Sequence, residues 1–360
     1  MKKIYYITAV FATLFLVGCG DGIDLPGVNV ETDLNKIPLP DNNVNLEQVE
    51  LKPSTEPMLH EGLHTEEDFQ RIRDKKAAGE EPWISAYQLL VESQFSQKTA
   101  DTYPTEWIKR GVSGDENYMN AARGAAIVYQ QALRWKIEQD DEYAAKAVEN
   151  LNKWVQTCVG VTGNTNLSLA AGLYGYEFAI AGELLRDYGG WDRADFAAFQ
   201  NWLLKVFYPA NDDFLKRHHD TNALHYWANW CLCNIAAKMA IGIVTDRRDI
   251  YNEGIAHLQT GDTNGRLRRA IYHDYAPDYN FAQWQESGRD QGHTLMCVGL
   301  MGIICQLAWS QGDDFFAYDD NLFLRACEYA ACCNYTNETV PYTTYIWQKQ
   351  SQWGYPIPEE

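Results

Sequence analysis

The chain has 360 residues, enough for one unusually large domain or two ordinary ones. Hydrophobic residues make up 46% and aromatics 13%, which excludes a disordered chain. A net charge of -19 excludes a nucleic-acid binder, which needs a broad basic face. A polyanion held in a local basic cleft stays open, and Arg123, Arg134, Lys216, Arg217, Arg266, Arg268, Arg269 and Arg289 are the residues to line one. The 12 Trp and 22 Tyr suit a protein that stacks on sugar rings, although a large helical core would use as many.

At the N-terminus, Lys2-Lys3 precede an apolar run from Ile4 to Val17, followed by Gly18-Cys19. This pattern reads as a bacterial secretion signal over 1–19, too short and wrongly flanked for a spanning helix. Its end, Leu16-Val17-Gly18-Cys19, has the form of a lipobox, which makes Cys19 the residue to be lipidated. The expectation is a secreted lipoprotein, periplasmic or on the outer-membrane surface, touching the membrane only through that anchor. Residues 20–57 are rich in Pro, Asn and Asp and read as a flexible tether. One domain is expected over 58–360.

Helical patterns then dominate. Thr65 with acids at 66–68 reads as a helix start, and helices are expected over 66–78, 83–97, 117–138, 141–158 and 168–188. Further ones are expected over 192–206, 221–243, 247–260, 286–311 and 318–334. Gly and Pro breakers separate them, so successive helices form antiparallel hairpins. The fold class is all-α, and hairpins without a repeat consensus indicate an incomplete (α/α) toroid rather than a solenoid. Strand alternation is weak and confined to 339–346. The span from His273 to Trp284 lacks helical character and belongs at the mouth of any cleft. The eight cysteines beyond Cys19 lie in apolar runs without zinc spacing and read mostly as buried thiols.

Two stretches put unusual polarity into apolar helices. At about 100° per residue, Asn222, His225 and Asn229 share one stripe of a helix, and Glu286, Arg289, Asp290 and His293 share another. Buried polar groups need partners, so the two stripes are expected to face a common cavity, the plainer reading being hydrogen-bonded core residues. Trp227, Trp230 and Trp284 are ambiguous between sugar platforms and core. His218 and His219 read as solvent-facing loop residues. No pair of histidines has ligand spacing with an acid on the same helix face, so neither metal nor cofactor is expected.

Tyr226-Trp227-Ala228-Asn229-Trp230, the turn Asp246-Arg247-Arg248-Asp249, and the run from Glu286 to His293 together resemble the alginate lyases of the α/α-toroid superfamily. Ala132-Leu133-Arg134-Trp135 and the Leu169 to Tyr176 run fit the same superfamily, so the resemblance spans most of residues 60–335. The string Trp284-Gln-Glu-Ser-Gly-Arg-Asp-Gln-Gly-His293 is most similar to the branch grouped as polysaccharide lyase family 38.

The resemblance implies β-elimination on a β-1,4-linked polyuronate by a metal-independent monomer. A base takes the proton α to the uronate carboxylate, donors neutralise that carboxylate, and an acid protonates the leaving O4. It implies carboxylate neutralisation by Asn229 and Arg289, and a role for His225 as base or second neutraliser. His293 or a tyrosine is left for the remaining proton transfer, with Tyr226, Tyr174, Tyr275 and Tyr279 as candidates. Asn222, Tyr174, Trp227, Trp230, Tyr279, Trp284, Glu286 and Arg123 are the expected substrate-binding residues. The chain departs from the family where an Asn-His pair is usual, having Ala223-Leu224, and where the tyrosine seven residues after the arginine is Met296. Two other readings stay open: a catalytically inactive glycan-binding toroid, and a glycoside hydrolase using Glu286 and Asp290.

Overall fold

The computed structural model describes residues 54–335 and 340–343. Cys19, most of the tether and half of the 339–346 span lie outside the described residues. The helices are α1 (Glu66–Ala77), α2 (Trp83–Glu92), α3 (Tyr118–Glu138), α4 (Asp141–Thr157), α5 (Leu167–Leu184) and α6 (Arg193–Val206). They continue as α7 (Tyr208–Arg217), α8 (Ala228–Val244), α9 (Arg248–Thr260), the single turn α10 (Leu267–Ala270), α11 (Gln291–Ser310) and α12 (Tyr318–Tyr335). Two short strand pairs complete the fold: β1 (Trp107–Arg110) runs parallel to β2 (Gly160–Gly163), and β3 (Ile271–Asp274) antiparallel to β4 (Ala282–Trp284).

Burial sorts the helices into two layers. Every residue of α5 from Ser168 to Leu184 except Glu177 is buried, and every residue of α8 except Trp230. Helices apolar all round must be covered on every side. They form an inner row, α3 on α5, α5 on α8 and α8 on α11. The outer helices bury one face each; α4 does so through Tyr143, Ala144, Ala147, Val148, Leu151 and Trp154. α4 covers α3, α7 and α9 cover α8, and α12 covers α11. This is an incomplete α/α toroid, as the alternating hairpins require. Small residues set the inner spacing: a Cβ on Gly172 of α5 would stand 2.4 Å from Cys233 Sγ and 3.0 Å from the Asn234 amide of α8. On the outside, Lys238 of α8 is 3% exposed and bridges Asp212 of α7 (2.8 Å) and Glu253 of α9 (2.5 Å).

The two ends differ. At one end, Arg186 donates to Glu183 (2.8 Å), Asp246 (3.2 Å) and the Val244 carbonyl (2.8 Å), closing the C-termini of α5 and α8. The opposite end gathers the N-termini of the inner helices, and turns and strand pairs surround them.

Residues 54–57 lie against α9, where Arg248 donates to the Glu56 and Pro57 carbonyls and Asn252 to that of Ser54. Three expectations change. Residues 208–217 form α7, which Pro209 concealed although Pro suits a first helical turn. The helix expected from 221 begins only at Ala228, and the one expected from 286 only at Gln291. The strand pairs at 107–110 and 160–163 were not read, being too short for alternation to show.

Candidate active site

The approach to α8 is a turn rather than a helix. His218, His219 and Asp220 all take left-handed φ values, 49°, 52° and 60°. Asn222 Oδ1 then accepts the Leu224 amide at 2.9 Å, an Asx turn that competes with helix formation. Asn264 Nδ2 holds the turn by donating to the Leu224 and Tyr226 carbonyls at 3.1 and 2.9 Å. The stripe expected of Asn222, His225 and Asn229 therefore does not exist. Asn222 is exposed, and His225 sits on the turn with its ring edge-on to Tyr226.

Asn229 lies in the first turn of α8, 1% exposed. Among the described residues, its Nδ2 meets only Met296 Sδ, at 3.6 Å, and its buried Oδ1 has no partner. Gln285 and Glu286 supply the missing helix cap from across the fold: Gln285 Oε1 accepts the Ala228 amide at 3.0 Å and Glu286 Oε1 that of Asn229 at 2.7 Å. Glu286 is wholly buried and also accepts from Arg289 Nη1 at 3.1 Å and Cys297 Sγ at 3.3 Å. Burial pushes its carboxyl above the usual range, against the pull of Arg289, His293 and the Asn229 amide. The Arg289 guanidinium lies 5.2 Å from the centre of the Trp227 ring.

Residues 286–290 form turns, and Asp290 is the N-cap of α11, accepting the His293 amide at 2.8 Å. Its other oxygen is 2.6 Å from His293 Nδ1. A carboxylate there places the proton on Nδ1 and leaves Nε2 as the basic nitrogen. Burial alone would raise Asp290, but the amide and ring of His293 and the charge of Arg289 outweigh it and hold the carboxyl below its usual range. The second stripe, too, is not helical, yet Asn229, Glu286, Arg289, Asp290 and His293 form one connected cluster. Both carboxylates are spent on caps and cations, which removes the pair that a glycoside hydrolase would need.

The aromatic residues divide. Tyr226 is 8% exposed, with its ring 4.7 Å from that of the partly buried Trp230. Tyr272 of β3 packs on Trp227 with Trp230, and burial pushes its hydroxyl up to about 12. Trp284 is core, fully buried, with Nε1 donating to the Ala326 carbonyl at 2.9 Å. Tyr174 is also packed in the core, 5% exposed in α5. Trp227 is 5% exposed and supports Arg289 rather than offering a sugar platform. Arg123 is exposed on α3, and Tyr279 is 51% exposed between β3 and β4.

Sequence reasoning missed Gln285, Tyr272 and His219. His219 is half-buried, its Nε2 3.0 Å from Ser168 Oγ and its ring 5.8 Å from that of Tyr226, which ties α5 to the turn before α8. The doubled histidine was visible, but nothing local marks a partner 51 residues away. Behind the same turn lies a cavity of about 280 Å³ bounded by Leu215, His218, Ala223, His257 and Thr263. Burial holds both of its histidines down to about 4. Among the described residues, no three His, Cys, Asp or Glu side chains gather as a metal site.

The N-termini of α5, α8 and α11 thus meet around a buried amide, a guanidinium, an acid-oriented histidine and two protonated tyrosines. Comparison with known proteins bears on this arrangement. No curated protein sequence matches the chain. Among solved structures, a substituted alginate lyase A1-III bound to a tetrasaccharide superposes with TM-score 0.58 at 14% identity, covering 79% of this chain and 82% of that one. Alginate lyase A1-III from Sphingomonas species A1 gives 0.53 at 13%, over 77% and 80% of the two chains. An alginate lyase from Bacteroides ovatus gives 0.54 at 14%, over 83% and 87%. At such identity these show the shared toroid alone. The model of the alginate lyase family matches residues 72–338, most of the chain. The chain therefore belongs to the alginate lyase family and is a polysaccharide lyase.

Proposed function

We propose that the protein cleaves a β-1,4-linked polyuronate, alginate or glucuronan, by metal-independent β-elimination. One observation carries this reading: Glu286 holds both the Asn229 backbone and Arg289, and among the described residues the buried side-chain amide of Asn229 has no strong partner of its own. Groups in that state are what an incoming carboxylate needs. Asn229 Nδ2 and Arg289 neutralise the uronate carboxylate and so acidify the α proton at C5. His293 Nε2, oriented by Asp290, takes that proton; the C4–O4 bond breaks as the C4=C5 double bond forms. A tyrosine hydroxyl protonates the departing O4, and Tyr226, beside Trp230, and Tyr272, packed on Trp227, are the candidates for this donor. The string from Trp284 to His293 supports the branch grouped as polysaccharide lyase family 38. The lipobox supports anchoring at Cys19, and Cys19→Ala should release the protein from the membrane fraction.

The test is a panel of polyuronates scored for ultraviolet-absorbing unsaturated ends. Product from at least one of them is expected. Tight binding without any unsaturated product would favour the inactive, glycan-binding reading.

A further inference from the structure

Arg110 ends β1 on the buried side of the strand, opposite the exposed Trp107. It is 6% exposed, and its Nη1 is wholly buried with no partner. The guanidinium stands 4.7 Å from the centre of the Tyr118 ring. Among the described residues no carboxylate pairs with it and no oxygen accepts from it. The acids of the following turn are taken: Asp115 Oδ2 by Lys109 Nζ at 2.6 Å, and Glu116 Oε1 by the Gly111 amide at 2.7 Å. An arginine cannot shed its charge, so burying one without a counter-ion is costly.

The surroundings add to the positive potential. Arg110 pairs in register with Gly163, just before α5, while Tyr118 opens α3. Gly163 has φ 143°, and a Cβ there would stand 1.7 Å from the Arg110 carbonyl, so the strands meet at backbone distance. Neither α3 nor α5 has a side-chain cap or an acid in its first turn, whereas α1, α4 and α6 have both. Two uncapped helix N-termini thus flank an unpaired guanidinium in a chain of net charge -19. Five residues past Gly163, Ser168 of α5 meets His219, whose ring lies 5.8 Å from that of Tyr226, which puts this spot on the rim of the candidate active site.

We propose that Arg110 is a second carboxylate-binding position, holding a uronate residue other than the one being cleaved. This rests on the polyuronate reading above. The free protein keeps the guanidinium unpaired, and a bound chain supplies its counter-ion in a charge-assisted pair.

The test compares wild type, Arg110→Gln and Arg110→Met on oligouronates of graded length, with calorimetry for binding and absorbance for cleavage. Long oligomers should bind about tenfold more weakly to both variants, with KM rising to match. The shortest cleaved oligomer should be unaffected, and so should kcat. Carboxyl-reduced oligomers should bind wild type and variants alike. Melting temperatures should hold or rise, because an uncompensated buried charge is gone. Falling melting temperatures with a loss independent of length would mark a structural arginine and overturn the proposal, as would equal affinity at every length. Binding that depends on Arg110 and on length, without unsaturated product, would overturn the lyase reading while upholding the Arg110 site.

Discussion

The carboxylate of Glu286 accepts the backbone amide of Asn229 at 2.7 Å, so a residue ahead of α11 sets the first turn of α8. The same carboxylate holds Arg289 at 3.1 Å. One buried acid therefore places both groups proposed to neutralise the substrate. Glu286→Ala should cost about 3 kcal/mol or more of stability, since it strands a cation and uncaps a helix. Glu286→Gln can still accept the amide but cannot pair with Arg289, so it should fold and lose turnover. Denaturant unfolding and kcat, measured on both, separate the cap from the ion pair; a fully active Glu286→Ala would refute the assignment.

Asn229→Ala should lower kcat by about 10²–10³, the usual loss for a preorganised donor. Among the described residues its side chain bonds only a thioether, so the melting temperature should move little. Unfolding of the variant would instead make the amide structural.

The Asp290–His293 pair can be split by two substitutions. Asparagine caps helices well, so Asp290→Asn should keep α11 stable while no longer orienting a positive imidazole, and kcat should fall. Asp290→Ala should add about 1 kcal/mol of destabilisation for the lost cap. Because the folded carboxyl titrates below 3.8, the native contribution is complete at neutral pH and is lost only as acid titrates it. A stability difference between Asp290→Ala and wild type that persisted undiminished in strong acid would contradict this.

Glu177 gives the opposite pH dependence. It is half-buried in α5, 3.5 Å from the Tyr176 hydroxyl, and burial pushes its carboxyl from 4.5 up to about 8. Folding then takes up a proton, and stability falls as pH rises through that window. Glu177→Gln should melt higher than wild type above about pH 8 and close to it near pH 5. Parallel stability curves for the two proteins would show that the carboxyl is not perturbed.

The proposed neutralisation by Asn229 and Arg289 leaves a divalent ion no part in the chemistry. Dialysis against a chelator should leave the rate nearly unchanged. A large loss restored by calcium or zinc would show an ion as the neutraliser.

The toroid was legible because Gly and Pro breakers divide the chain into successive helices that must pair as hairpins. The division into inner helices buried all round, α5 and α8, and one-sided outer ones such as α4 came only with the structure. The site was legible in composition but not in geometry. Asn229, Arg289, Asp290 and His293 do meet, though not as stripes of continuous helices. The helical count failed at Asn222 because its side-chain turn competes with the helix, and at Ser287-Gly288 because Asp290 is the true cap. Trp284 looked like a sugar platform because only the tertiary structure places Ala326 and Phe323 against it. Gln285 and Tyr272 gave no signal, since each acts on a residue more than 40 positions away.

The inner helices all open toward the same end, and Arg186 braces the other. Asn229 and His293 stand in the first turns of α8 and α11, while Tyr226, Tyr272 and Arg289 are carried on turns and a short strand around them. Substrate preference in such a chain can drift by exchanging segments such as 218–226 or 271–284, one at a time, against an unchanging frame.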